Sequence, residues 1–100
     1  MGVVAALAAE ARALGPTVRR IGDVDCLGEA TLLAVSGMGC TAAGLAAGRL
    51  IEAGASALMS FGLAGGLDPR LSAGSVVFPS EVISRDGARF PTSVTWRGEL

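Results

Sequence analysis

Three short apolar runs constrain the fold most, because none has the three-to-four-residue spacing of an amphipathic helix. They occupy residues 3–6, 32–35 and 57–61, and glycine-rich segments follow the second and third. Nearly uninterrupted apolar stretches of this length are typical of strands that are buried on both faces. Such strands occur where helices cover both sides of a sheet. The runs therefore predict an α/β fold.

The segments between the runs predict the connecting elements. A short helix over residues 10–14 ends at Gly15 and Pro16, since proline cannot continue a helix. A second helix over residues 40–53 ends at Gly54. It joins the second and third runs as a βαβ unit with parallel strands, which we expect to be neighbours in the sheet.

The remaining segments predict further strands. Residues 18–24 and 26–35 form strands around a turn at Gly22 and Asp23, and they pair as a meander. Residues 76–78 form another strand, and residues 81–84 extend the sheet after a break. The chain shows no repeat or linker, so we expect one domain over residues 1–100.

On the second helix, Gly44 and Gly48 share one face with Ile51. Because that face is nearly bare of side chains, we expect it to approach the sheet closely.

Composition excludes several classes of function. The chain has 8 basic and 9 acidic residues and a net charge of −1, so it lacks the basic surface that binds nucleic acids. It contains no histidine, which removes Ser-His-Asp catalysis and most zinc sites. Acid–base chemistry must therefore use carboxylates, and we expect no metal.

Cys26 and Cys40 are expected to be packing residues in a reducing compartment. No signal peptide or membrane span is evident, so we expect a cytoplasmic protein.

The apolar content is high for a chain of this length. Apolar residues make up 51% of the sequence, and 15 glycines add to them. A domain of 100 residues has too little interior for this content. We therefore expect either a large oligomer interface or a chain that is part of a bigger fold. We expect some of a set of five apolar residues to be poorly covered, or covered by a second chain: Leu50, Ile51, Leu58, Val76 and Val77.

A glycine-rich turn follows the second run. Gly37, Gly39 and Ala42 fit the G-x-G-x-x-A pattern of dinucleotide-binding turns. That function also needs an acidic residue at the end of the next strand, which here ends in Phe61 and Gly62. The missing acidic residue disfavours a dinucleotide site. The alternatives are that the turn binds an anion or a ribose, or that it is a tight turn that only allows helix packing.

A second glycine-rich turn, residues 62–66, follows the third run. Ligands bind at the carboxyl ends of strands in open α/β sheets, and two such turns side by side form a concave, backbone-lined floor. The floor suits a nucleoside-sized ligand, although small residues also serve compact packing. Three aromatic residues are either base-stacking residues or core or interface residues: Phe61, Phe90 and Trp96.

Glu10 is the lone charge in the first amino-terminal apolar segment. Its carboxylate can accept a proton from water or a hydroxyl, or it complements the dipole of the first helix.

Four motifs occur in a recognisable order, namely residues 3–10, 36–39, 61–67 and 73–77. Together they resemble the nucleoside phosphorylase and nucleosidase superfamily. Residues 60–69 and 86–91 look most like the branch called hopanoid-associated phosphorylases. The resemblance implies a three-layer α/β fold with a mixed central sheet, of which this chain is the amino-terminal half.

The same resemblance implies cleavage of a ribose N-glycosidic bond through an oxocarbenium-like transition state. Water or phosphate is the acceptor, with phosphate a possible co-substrate and no other cofactor. Glu10 matches the glutamate that orients the nucleophilic water or a sugar hydroxyl. Leu63 replaces a polar residue common in the nucleosidases, and Ser75 replaces a usual aspartate. The implied substrate-binding residues are Ser36, Gly37, Met38, Gly39, Leu63, Ala64 and Gly65, with Met38 at the ribose and Ala64 and Gly65 at the base.

Members of that family are longer. Their second half supplies a glutamate that grips the ribose and an aspartate that protonates the departing purine. Without this acid, the rate should fall by roughly two to four orders of magnitude. We therefore expect negligible turnover from the 100-residue chain. The alternative is a non-catalytic module that binds nucleosides or self-associates, and a homo-oligomer is expected in either case.

Overall fold

A computed structural model describes residues 1–28 and 30–93 of the chain. The chain divides into two compact units, Met1–Ala64 and a second that begins at Gly65, and each is described by itself. The first unit combines helices with a mixed sheet, so the predicted α/β class is confirmed. Within the described residues, neither helix is long and apolar enough to cross a membrane.

The first unit contains five strands: β1 (Gly2–Ala5), β2 (Arg19–Ile21), β3 (Val24–Cys26), β4 (Leu32–Val35) and β5 (Leu58–Phe61). They form one sheet in the order β2-β3-β4-β1-β5. The predicted meander is confirmed, because β3 pairs antiparallel with β2 on one side and with β4 on the other. Gly22 and Asp23 form the turn between β2 and β3. The predicted single strand over residues 26–35 is wrong. The chain turns between β3 and β4, where the Leu27 amide donates to the Thr31 carbonyl at 2.9 Å.

The first strand occupies the centre of the parallel part of this sheet. β1 pairs parallel with both β4 and β5, and Val4 lies in register with Ala34 on one side and Ser60 on the other. The expectation that β4 and β5 are neighbours is therefore wrong, although they are parallel. Because three parallel strands lie side by side, their carboxyl ends meet at one edge of the sheet.

Helices cover both faces of the sheet, as expected for a three-layer fold. On one face, α1 (Ala8–Ala11) and a 3₁₀ turn (Arg12–Leu14) replace the predicted helix over residues 10–14. Ala11 packs there with Val3 and Leu33. On the other face lies α2 (Cys40–Glu52), within one residue of its predicted bounds. Its Ala46 and Leu50 pack with residues of β3 and β4.

The face of α2 that meets the sheet is not the one expected. Ala46 and Leu50 are fully buried, whereas a Cβ atom built on Gly44 or Gly48 would contact nothing within 4 Å. Leu50 accounts for the orientation, since burying its large side chain removes more apolar surface from water than burying glycine does. The glycine face, flanked by Leu45 and Ile51, is open.

Several apolar side chains are exposed, as their excess in the sequence predicted. Ile51, Leu58, Val76 and Val77 are all at least 40% exposed. Leu50 is fully buried, so the expectation of poor coverage holds for some of the five residues, as predicted.

The two cysteines differ in their surroundings. Cys26 is buried, so the prediction that it packs inside is confirmed. Cys40 is exposed at the start of α2, and the packing prediction for it is wrong.

The described part of the second unit contains one antiparallel hairpin, β6 (Glu81–Ile83) with β7 (Arg89–Pro91). β6 therefore pairs with β7 and does not extend the large sheet as predicted. Residues 76–78 form no strand, and Val76 is 76% exposed. In the hairpin loop, the Ser84 hydroxyl and the Ala88 amide donate to Asp86, which holds the pKa of that carboxyl below its usual value.

Candidate functional site

A cavity of about 340 Å³ lies at the carboxyl ends of β1, β4 and β5, entirely within the first unit. Its volume is at the lower end of the range of about 300–1,000 Å³ that is usual for small-molecule sites. The carboxyl edge of parallel strands is also where ligands bind in open α/β sheets. The lining residues are Val4, Ala6, Glu10, Ser36, Gly37, Gly39, Ala43, Ser60, Phe61, Gly62, Leu63 and Ala64.

The turn after β4 forms one side of the cavity. The amides of Ser36 and Gly37 donate to the carbonyls of Ala5 and Ala6 at 2.9 and 3.0 Å, which continues the pairing of β1 and β4 past the strand ends. Gly37 and Gly39 have φ angles of 79° and 103°, a region that side chains disfavour. The glycines therefore make the sharp entry into α2, as the tight-turn interpretation predicts.

Glu10 contributes the one charged side chain among the described lining residues. Its Oε2 accepts a hydrogen bond from the Leu7 amide at 3.3 Å, which ties the carboxylate to the start of α1. Its Oε1 accepts from the Leu63 amide at 3.1 Å, across 53 residues of sequence. The first bond fits the structural role at the helix start, and the second places the carboxylate at the cavity. The two predicted roles of Glu10 are thus compatible.

The structure brings most of the predicted site residues together and leaves two apart. Met38 is 80% exposed and does not line the cavity. Gly65 belongs to the second unit, so its contact with a base stays a prediction. The individual roles of the whole set also stay predictions. The predicted site residues that line the cavity are Glu10, Ser36, Gly37, Gly39, Leu63 and Ala64.

Sequence reasoning did not single out Ser60 as a site residue, although Ser60 lines the cavity. The signal for it was its position as the polar residue near the end of an apolar run. Phe61 both lines the cavity and packs against the core cluster beneath α1. Phe90 lies in β7 of the second unit, and Trp96 lies outside the described residues.

A larger depression of about 760 Å³ lies at the opposite edge of the sheet. Arg19 is the charged residue in its described lining, which also includes Met1 and Ile21. It contains no carboxylate among those residues. The smaller cavity is therefore the better candidate for chemistry on a hydroxyl group, because it combines a carboxylate that accepts protons with backbone groups at the strand ends.

Comparison with known proteins identifies the family to which the chain belongs. The family model described as the phosphorylase superfamily matches residues 3–94. This range contains every lining residue of the cavity. No curated protein and no solved structure matches the chain.

Proposed function

The chain belongs to the phosphorylase superfamily, and from that premise we propose that its first unit forms the nucleoside-binding floor of an enzyme that cleaves a ribose N-glycosidic bond. The observation that carries this proposal is the Glu10 carboxylate, which Leu63 fixes at the carboxyl edge of the sheet. A carboxylate there accepts a hydrogen bond from the attacking water or from a ribose hydroxyl. Nucleoside cleavage with water or phosphate as acceptor is the reaction that fits.

In this reaction, the bond between ribose C1′ and the base nitrogen breaks, and its electron pair leaves with the base. An oxygen of water or phosphate then forms the new bond to C1′. When water attacks, its proton passes to a base, and the departing purine takes up a proton from an acid. We assign Glu10 to orient the water or a sugar hydroxyl. The acid is assigned to no described residue, so we expect the 100-residue chain to bind nucleosides and to turn them over negligibly.

Calorimetric titration of the chain with adenosine, adenine and inorganic phosphate tests the proposal. We expect saturable binding of adenosine, because the cavity is large enough for part of a nucleoside and offers both apolar and polar groups. Absence of binding by adenosine and adenine at millimolar concentration would contradict the proposed floor. Rapid release of adenine by the chain would instead contradict its expected inactivity.

The finer features of the substrate also belong to this proposal. We propose a purine nucleoside or a nucleoside-like conjugate, on the resemblance to hopanoid-associated phosphorylases carried by residues 60–69 and 86–91. A cytoplasmic location stays a prediction.

A second candidate role is self-association through the open face of α2. Leu45 and Ile51 are 62% and 58% exposed on this face, with Gly44 and Gly48 between them. We propose that a second copy of the chain covers them, because burying two large apolar side chains favours association. Light scattering over a range of micromolar concentrations should give a mass above that of one chain. A mass of one chain at every concentration would contradict this role.

A further inference from the structure

Gly62 lies directly against the carboxylate of Glu10. A Cβ atom built on Gly62 would be 2.9 Å from Oε1 and 3.0 Å from both Cδ and Oε2 of Glu10. The distance to Oε1 is shorter than real Cβ contacts, the other two are tighter than most, and ordinary contact begins at 3.4 Å. The carboxylate therefore occupies the space that any side chain at position 62 would need.

The backbone at Gly62 gives no other reason for a glycine. Its φ angle is not among the positive values found at the turn glycines such as Gly37 and Gly39. Position 62 therefore does not need the left-handed conformation that favours glycine. What position 62 requires is the absence of a side chain next to Glu10.

We propose that Gly62 is a positioning residue, whose missing side chain lets the Glu10 carboxylate lie over the end of β5, within reach of the Leu63 amide. This inference rests on the proposed function, since it assigns Gly62 to the same site. Gly62 lines the same cavity, and its proposed role there is to place the Glu10 carboxylate. It fixes where the carboxylate oxygens meet the attacking water or the sugar hydroxyl.

We expect a side chain at position 62 to displace the Glu10 carboxylate without unfolding the chain. The atoms that a new Cβ would meet are the far end of a flexible side chain, which can rotate away at little cost. Rotation takes Oε1 away from the Leu63 amide. A displacement of about 1 Å at a reacting group lowers turnover about a hundredfold.

The first test follows the backbone amide of Leu63 by NMR during an acid titration of the isotope-labelled chain. In the native chain, the Leu63 amide resonance should move as Glu10 is protonated, and Glu10→Gln should abolish that movement. In Gly62→Ala the Leu63 amide should no longer follow Glu10, while the dispersed spectrum shows that the chain is folded. Gly28→Ala is the matched control, because a Cβ atom there meets nothing within 4 Å and its φ is not positive.

An unchanged Leu63 titration in folded Gly62→Ala would overturn the inference. This readout needs no turnover, so it separates failure of the inference from failure of the proposed function. If the titration changes as expected but no nucleoside binds, the placement stands and the proposed function fails.

A double-mutant cycle with Glu10→Asp provides the second test, measured as kcat and KM in the natural protein that contains this sequence. Aspartate is one methylene shorter, so its carboxylate is withdrawn from the Leu63 amide. Each single change therefore moves the carboxylate at position 10 away from that amide. We expect the Gly62→Ala and Glu10→Asp pair to lose no more kcat than the more severe single change, with KM nearly constant. Losses that multiply would show that Gly62 acts through something other than Glu10 and would overturn the inference.

Discussion

Glu10→Gln should lower kcat for nucleoside cleavage by about two to four orders of magnitude in the natural protein that contains this sequence. The amide is nearly the same size as the carboxylate, but it cannot accept a proton or carry the negative charge that orients a hydroxyl. The measurement is steady-state release of the free base. We expect the loss in kcat with a small change in KM, because the effect is on the transition state.

Glu52→Gln is the matched control for this change. Glu52 is exposed in the last turn of α2 and does not line the cavity, so its substitution should leave kcat unchanged. A purely structural role for Glu10 makes a different prediction. It would lower the free energy of unfolding by up to about 1 kcal/mol through weaker bonds to Leu7 and Leu63, with turnover retained. Retained turnover in Glu10→Gln would therefore exclude its proposed role in orienting the nucleophile.

Leu50→Ala should lower the free energy of unfolding of the first unit by about 2–5 kcal/mol. Leu50 lies on the face of α2 that meets the sheet. It is fully buried there and packs with Val24, Ala34 and Ala46. Its loss removes apolar contacts and leaves a cavity, because the surrounding structure relaxes only partially. Urea unfolding followed by far-ultraviolet circular dichroism measures the change.

Two other variants keep this test interpretable if Leu50→Ala does not fold. Leu50→Met nearly conserves the volume and should cost less than about 1.5 kcal/mol. Leu63→Ala makes the same chemical change at a side chain that is 91% exposed, and it should alter stability by less than about 0.5 kcal/mol. Equal, small effects of Leu50→Ala and Leu63→Ala would show that Leu50 does not anchor α2 to the sheet.

Local patterns were sufficient for most of the first unit. The apolar runs became β1, β4 and β5, and the Gly22 and Asp23 turn joins β2 to β3. Gly37 and Gly39 lie at the predicted entry into α2 with positive φ. Each of these features depends on residues close together in sequence, so the sequence pattern contains the information.

Features that depend on distant residues were not predicted. The position of β1 between β4 and β5 depends on pairings across the sheet, which no local pattern encodes. The buried face of α2 was also missed, because both of its faces are made of small or apolar residues and only contact with the sheet distinguishes them. In the second unit, residues 76–78 have the composition of a strand, yet the apolar run forms none.

In the candidate site, too, the features that depend on nearby residues were predicted and those that depend on distant residues were not. Glu10 and the two glycine turns were predicted as site components, and Glu10 lines one cavity together with part of each turn. The bond from the Leu63 amide to Glu10 joins residues that are 53 positions apart. The close approach of Gly62 to that carboxylate likewise depends on the folded chain, because the sequence shows only another glycine in a glycine-rich turn.

The most direct measurement is a titration of adenosine into the isotope-labelled chain, followed by its backbone amide resonances. Binding at the carboxyl edge of the sheet should shift the amides of Ser36, Gly37, Leu63 and Ala64 with a single saturation curve. Amides at the opposite edge, such as that of Arg19, should stay in place. Shifts confined to that opposite edge, or no saturable shift at all, would contradict a nucleoside site built around Glu10.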